Sequence, residues 1–211
     1  MTWQLTHTGR EHHLDHAAHP DTTPPIVEIA WSLAHINRYN GHALRAYSVA
    51  EHSLLVADYA HSIGASKMQE LLCLMHDAHE SITGDVTSPV KQMLGQGFKE
   101  FEDRHQHALL TGYDLWEHYE AHAAFIKHCD LTALATERRD ITTYTPGMHR
   151  PWPVIDTPGH SIAPWGGAAL MQPNHVLRTP SQWAAKFVAR AETLFAIVNN
   201  TTTTPTGGTT Q

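Results

Sequence analysis

The chain has 211 residues, of which 41% are apolar and 17% charged, enough for one globular domain with a sizeable core. A net charge of −7 argues against a surface that binds polynucleotides non-specifically. No apolar run predicts a membrane helix, and the N-terminus lacks the apolar stretch of a signal peptide, so we expect a cytoplasmic protein with no membrane partner.

Signals for helix starts recur along the chain, whereas strand signals do not. Thr23, followed by two prolines, predicts a helix that runs to about Arg38. Ser48–Glu51 has the pattern of a capping box, and so does Ser66–Gln69. The second of these two boxes is expected to open a buried helix that continues through the sequence MHDAHESI.

The second half of the chain follows the same pattern up to an irregular segment. Ser88–Pro89 predicts a short helix, a further helix follows, and Asp114 is expected to cap a longer one. Residues 145–178 are rich in Pro, Gly and Trp, which predicts a long irregular loop or lid. Thr179 then caps a final amphipathic helix that ends near Asn199.

These elements predict an all-α fold, a compact single-domain helical bundle. We expect residues 1–22 to be a polar N-terminal segment, residues 23–199 the folded domain, and residues 200–211 a disordered tail. Cys73 and Cys129 lie in apolar helical patterns and are expected to be buried, reduced thiols.

Four side chains on three predicted helices have the chemistry of metal ligands. His76 and Asp77 are adjacent, about 100° apart on a helix, so both can reach one ion. His52 follows a helix cap and is placed to face the same interior. Asp130 interrupts an apolar helical stretch, where a carboxylate is costly unless a cation compensates it. Each residue alone has an ordinary structural explanation, but together they favour a metal site.

Further polar residues surround this set. Glu80 lies one turn beyond the His-Asp pair, which suits a general acid or base. Lys91 and Lys127 are placed to meet phosphate oxygens, with a solvated surface position as the open alternative for each. His79 is expected to be a surface side chain. Four of the 19 histidines are expected to be solvated: His12, His13, His16 and His19.

The strings YSVAEHSLLVA, HDAHESITGDVTSPVK and KHCD…LATERRD, in this order, resemble the HD-superfamily phosphohydrolases of bacteria and phages. Within that superfamily they are most similar to the YfbR-like 5′-deoxynucleotidases and to the phage deoxynucleoside triphosphate triphosphohydrolases, some of which act on dATP. The resemblance spans about Ile26 to Ile141, with Trp183 and Phe187 in the last helix. Residues 145–178 have no assignable counterpart in the short bacterial nucleotidases.

The resemblance implies an HD-domain helical fold with one divalent transition metal, which can be Zn, Co, Mn, Ni or Fe; additional Mg or Mn with the substrate phosphates is left open. The implied metal ligands are His52, His76, Asp77 and Asp130. Glu80 matches the catalytic acid, and Asp85 is a supporting carboxylate. The implied substrate-binding residues are Arg38, Tyr39, Gly41, His42, Lys91 and Lys127.

The sequence leaves several functions open. We favour a dNTP triphosphohydrolase, with dATP as one candidate, because the cations at Arg38, Lys91 and Lys127 exceed what one phosphate requires. A 5′-deoxynucleotidase acting on dNMPs and a non-catalytic nucleotide-binding HD module are the alternatives. A zinc peptidase would need a glutamate between its two histidine ligands, whereas Glu80 follows both. We expect a small nucleotide substrate, no polynucleotide partner, and a homo-oligomer, either a dimer or a larger ring.

Overall fold

The computed structural model of the chain describes residues 2–15 and 23–202. Two strands, β1 (Trp3–Leu5) and β2 (Glu11–His13), come first. The helices that follow are α1 (Ile26–His35), α2 (Val49–Ser62), α3 (Lys67–Met75), α4 (Glu80–Thr83), α5 (Ser88–Leu94), α6 (Gln96–Gly112), α7 (Trp116–Ala121), α8 (Ala123–Ile141), α9 (Pro153–Asp156), α10 (Pro173–Val176) and α11 (Pro180–Thr202), with a 3₁₀ turn at Arg38–Gly41 between α1 and α2. The all-α prediction is confirmed, apart from the short hairpin.

The core lies where α1, α2, α3 and α11 pack together, with α8 against α2 and α3. Its fully buried side chains include Leu33, Val56, Leu74 and Phe187. Helix α2 is central, since every residue from Val49 to Ala57 is buried. A metal ligand on this helix is therefore attached to a rigidly packed part of the backbone. Cys73 and Cys129 are buried free thiols, as expected.

Residues 2–15 contain an antiparallel hairpin that the sequence did not predict, with Trp3 paired to His13. The hairpin docks on α1 through Glu28, whose carboxylate accepts a 2.6 Å hydrogen bond from Arg10 and one of 3.1 Å from Thr6. Contrary to expectation, His12 is only 3% exposed, because the hairpin packs its side chain against the helices, next to the His105 ring of α6. The last helix runs to Thr202, so residues 200–202 are helical and do not belong to a disordered tail as expected. The predictions for His16 and His19, and those for residues 203–211, fall outside the described residues.

The prediction that one helix carries the whole HDAHE sequence is wrong. Helix α3 starts at the predicted Ser66–Gln69 capping box but ends at Met75. Tighter turns follow, in which Ala78 N donates to Met75 O and Glu80 N to Asp77 O, each at 3.0 Å. The chain then enters α4. The His-Asp pair therefore lies in these turns, between α3 and α4.

The predicted long helix after residue 114 is also divided. Asp114 adopts a left-handed φ of 57°, and α7 begins after Leu115 without a side-chain cap. His122 separates α7 from α8. The last helix does begin as predicted, since Gln182 N donates to the Thr179 hydroxyl at 3.3 Å and Thr179 N donates back to the Gln182 side chain at 2.9 Å.

Residues 145–178 form a largely irregular segment that crosses the end of α8, as the sequence predicted, with only α9 and α10 as helical turns. Ile155 and Leu170 are fully buried and anchor it. The end of α8 also binds it through side chains: Arg138 pairs with Asp156 at 2.5 Å, and Arg139 donates to backbone carbonyls of the segment. Among the described residues, no helix is both long and apolar enough to cross a membrane.

Candidate metal centre and catalytic site

Four side chains from different parts of the chain converge on one point beside α2. The Nε2 atoms of His52 and His76 lie 3.3 Å apart. Asp77 Oδ2 is 3.5 Å from the first and 3.2 Å from the second. Asp130 Oδ1 is 3.4 Å and 3.9 Å from the same two nitrogens. The structure thus brings together all four ligands that the sequence proposed.

This arrangement fits a divalent metal. Donors about 2.1 Å from one ion lie roughly 3.0 to 3.4 Å apart at neighbouring positions and about 4.2 Å apart at opposite ones. The five separations given above range from 3.2 to 3.9 Å, and the donor atoms of His52, His76 and Asp130 all lie within 4.8 Å of one another. The Nδ1 atom of His76 bonds to the Cys73 carbonyl at 2.7 Å, and the Nδ1 atom of His52 bonds to the carboxylate of Glu137. Because an oxygen acceptor holds each Nδ1 atom, each Nε2 atom faces the other ligands and can bind an ion once it has released its proton, in the manner of metal-binding histidines fixed by an outer partner.

The electrostatics of the carboxylates agree with a cation-binding role. Burial alone would raise the pKa of Asp77, but the positive field of His76, His52 and Arg38 holds it well below its usual value. The pKa of Asp130 is likewise lowered despite burial, through its hydrogen bond to His52 and the charge of His76. Both side chains stay ionised at neutral pH, as metal ligands must.

Glu137 is a buried carboxylate at the candidate site that the sequence motifs did not single out. It is fully buried and accepts hydrogen bonds from Tyr39 at 2.6 Å and Tyr47 at 3.0 Å, besides its contact with His52. Burial raises its pKa, but Arg38 and His52 overcome this effect and lower it to about 2. It lies two turns beyond Asp130 on α8, within the LATERRD string, and that helical spacing was the available signal.

Arg38 and Tyr39 lie at the edge of the metal centre. The Arg38 side chain is 13% exposed, with Nη1 3.6 Å from Asp77 Oδ2 and Nε 3.4 Å from Glu137 Oε2. Tyr39 has a left-handed φ of 59°, and Asn40 and Gly41 follow with φ of 50° and 77°. This tight turn points the Tyr39 hydroxyl at Glu137. Gly41 and His42 are exposed on the same turn.

Glu80 is a buried carboxyl next to the four ligands. Glu80 is 3% exposed, and its Oε2 atom has no hydrogen-bond partner within the described part of the chain. Burial, followed by the negative charges of Asp77 and Asp85, raises its pKa well above the usual range. Asp85 is half-buried, and burial raises its pKa as well. The raised pKa favours the protonated form of Glu80.

Both lysines are engaged by carboxylates. Lys127 Nζ lies 2.7 Å from Asp130 Oδ2, on a side chain that is 63% exposed. Lys91 Nζ lies 2.7 Å from Glu102 and 3.9 Å from Glu80. The structure places both near the metal centre, but their charges are already partly compensated.

His79 was expected at the surface and is instead buried, with 7% of its area exposed. The reason is the turn after Met75, which directs the side chain inward. Burial lowers its pKa to about 4, so the imidazole is neutral at physiological pH.

Known proteins are similar to this chain over the region that contains the candidate site. The family model described as 5′-deoxynucleotidase YfbR-like matches residues 27–132, a range that contains all four ligands and ends before Glu137. An uncharacterized protein of Rhodobacter capsulatus is 41% identical over 48% of this chain and 53% of its own length. The uncharacterized protein YfdR of Escherichia coli K12 is 31% identical over 74% of this chain and 80% of its own length.

Relatives with a named activity match a shorter region. The 5′-deoxynucleotidase YfbR of Escherichia coli O127:H6 is 39% identical over 28% of this chain and 35% of its own length. The chain thus spans about half of the Rhodobacter relative and about a third of this nucleotidase. From the extent of the family match and of the YfdR alignment, the chain belongs to the YfbR-like 5′-deoxynucleotidase family of the HD superfamily.

Proposed function

We propose that this chain is a metal-dependent 5′-nucleotidase that converts deoxynucleoside monophosphates to deoxynucleosides and orthophosphate. The observation that carries the proposal is the convergence of His52, His76, Asp77 and Asp130 beside the buried carboxyl of Glu80. The family match supports the reaction class, and relatives of that family carry the name 5′-deoxynucleotidase.

In this proposal the four converging residues hold one divalent ion, which supplies Lewis-acid activation of the phosphoryl group and of the attacking water. Arg38 binds a phosphate oxygen, since its guanidinium lies beside Asp77 at the rim of the metal centre. Its contacts with Asp77 and Glu137 hold the guanidinium before substrate arrives. Such preorganisation favours stabilisation of charge in the transition state.

Glu80 donates its proton to the 5′-oxygen when the bond between that oxygen and phosphorus breaks. Water forms the new bond to phosphorus, and the proton that this water releases restores the protonated form of Glu80. The raised pKa supports this role, because a carboxyl group must be protonated to act as an acid. Asp85 supports it by adding a nearby negative charge that keeps the proton on Glu80. Tyr39, Gly41 and His42 form the turn that we assign to the sugar and base.

The choice of a monophosphate rests on the two lysines. The expectation of a triphosphate substrate assumed free cations at Lys91 and Lys127, but each ammonium lies 2.7 Å from a carboxylate oxygen. Arg38 also faces carboxylates, but at the longer distances of 3.4 and 3.6 Å, so it is the least engaged of the three cations and we assign the single phosphate to it. The triphosphohydrolase reading stays a prediction without a supporting observation.

Product analysis tests the proposal. The protein is stripped of metal, reloaded with Co²⁺, Mn²⁺ or Zn²⁺, and incubated with each dNMP and dNTP, and the phosphate products are resolved by ion chromatography. Orthophosphate from dNMPs is the expected result. Release of triphosphate from dNTPs would contradict the nucleotidase proposal and favour a triphosphohydrolase. Absence of product with every ion would favour the nucleotide-binding module.

A Glu80→Gln variant tests the proton donor within the same assay. We expect it to retain the metal and to lose at least about a hundredfold in kcat, the usual contribution of a general acid. Glu117→Gln, an exposed glutamate on α7, is the matched control and should leave kcat unchanged. Full turnover in the Glu80 variant would remove this residue from the mechanism.

A further inference from the structure

A second cluster of metal-ligating side chains lies beside the first. His79, Glu80 and Glu102 each offer one ligand atom, and these three atoms lie within 4.8 Å of one another. They come from the turn after α3, from α4 and from α6, so the tertiary fold rather than local sequence brings them together. All three residues are at least nine-tenths buried, with exposed fractions of 7%, 3% and 8%.

The polar atoms of this cluster are poorly satisfied by protein groups. Among the described residues, Glu80 Oε2 and His79 Nδ1 are buried without a hydrogen-bond partner. Buried polar atoms in native proteins nearly always have one, so an unpaired carboxylate oxygen beside an unpaired imidazole nitrogen points to a ligand. The Lys91 ammonium, 2.7 Å from Glu102 and 3.9 Å from Glu80, already brings one positive charge to the cluster.

We propose that His79, Glu80 and Glu102 form a second divalent-cation site, distinct from the His52, His76, Asp77 and Asp130 centre. One imidazole and two carboxylates are a donor set that transition-metal ions accept. Lys91 competes for the same carboxylates, because its ammonium contacts Glu102 and must turn away when an ion binds. The second site is therefore the weaker of the two.

The site has a consequence for turnover, which rests on the proposed function. Glu80 cannot donate a proton while its carboxylate coordinates an ion. The second ion therefore inhibits, and hydrolysis rises as the first equivalent binds and falls as the second does. The Lys91 ammonium acts as an internal competitor that delays this inhibition.

Equilibrium dialysis with Co²⁺ alone, without nucleotide, tests the site independently of activity. The full chain should bind two equivalents, one tightly and one weakly. Glu102→Gln removes a charged ligand and should weaken the second equivalent at least about tenfold while the first is retained. Glu100→Gln, exposed on the same helix, is the control and should bind as the unchanged protein does. A stoichiometry of one in the unchanged protein would overturn the proposal.

Lys91→Met provides the opposite test. Removal of the competing ammonium should tighten the second equivalent several-fold, whereas a structural ion pair between Lys91 and Glu102 would leave it unchanged or abolish it. Unchanged or lost affinity in this variant would overturn the site even if Glu102→Gln proved unstable. Because no substrate is present, failure of the nucleotidase proposal would not affect either result.

Discussion

Tyr39 and Glu137 are joined by a hydrogen bond of 2.6 Å between the phenol oxygen and Oε2, although 98 residues separate them in the chain. The same carboxylate contacts Nδ1 of His52 and lies 3.4 Å from Nε of Arg38. One buried glutamate thus connects a proposed metal ligand, the arginine proposed to bind phosphate, and the turn assigned to the nucleoside. Its loss should affect both metal and substrate.

Replacing Glu137 with glutamine should weaken metal binding by about ten- to a hundredfold, the usual cost of losing an outer-shell partner of a histidine ligand. The neutral amide no longer compensates His52 and Arg38 as a carboxylate does. Competition of Co²⁺ binding against a chelator of known affinity measures the change. Tyr47→Phe removes only one of the hydrogen bonds to Glu137 and should have a smaller effect. Equal losses in the two variants would contradict this role.

The sequence predicted most of the helices and all four proposed ligands because local signals mark them. Caps at Ser66 and Thr179 and an acid within an apolar stretch at Asp130 need no knowledge of tertiary contacts. The break after Met75 was not predictable, since apolar periodicity continues through it. The role of Glu137 depends on partners from α2 and the 3₁₀ turn, and the hairpin at residues 3–13 depends on Glu28. The helical spacing from Asp130 could have marked Glu137 as a candidate, but no local pattern identifies the partners in such long-range contacts.

Removal of metal should lower the stability of the folded chain, because the ion binds a site that exists only in the folded state. An ion at a hundred times its dissociation constant stabilises the native state by about 2.7 kcal/mol. Thermal unfolding with and without a chelator measures this difference. In Asp130→Asn the chelator should change the midpoint far less, whereas Asp103→Asn, at an exposed position on α6, should respond as the unchanged protein does. An identical midpoint with and without chelator in the unchanged protein would argue against a metal centre.

The docking of the N-terminal hairpin should depend on pH through Glu28. Burial raises the pKa of this carboxyl, but hydrogen bonds from Arg10 and Thr8 outweigh burial, and the net pKa is lowered. The stabilisation is therefore complete above the unfolded-state pKa, about 4.5, and is lost as the pH falls below it. Glu28→Gln should cost about 1.5 to 3 kcal/mol near neutral pH, as for hydrogen bonds to charged groups. Urea unfolding of both proteins from pH 7 to pH 3 should show this difference shrinking, and a constant difference would contradict the assignment.

The segment 145–178 should depend on Arg138 for its order. The Arg138 guanidinium binds Asp156 through two hydrogen bonds of 2.5 and 2.9 Å and lies over the rings of Tyr144 and Trp152, at 4.4 and 5.4 Å from their centroids. Lysine keeps the charge but has neither the planar fork nor the flat face that these contacts use. In Arg138→Lys we therefore expect faster amide hydrogen exchange in this segment and unchanged exchange in α2.

The same change links the segment to the candidate site. Trp152 lies 6.3 Å from the Tyr39 ring, so loosening of the segment removes a neighbour of the turn assigned to the nucleoside while the metal ligands stay in place. Arg138→Lys should consequently raise KM for dNMPs with little change in Co²⁺ affinity. Arg104→Lys on α6, whose guanidinium lies over the Phe101 ring away from this segment, is the control. A parallel loss of metal affinity would mean that the segment supports the metal centre itself. An unchanged KM would show that the segment does not contribute to substrate binding.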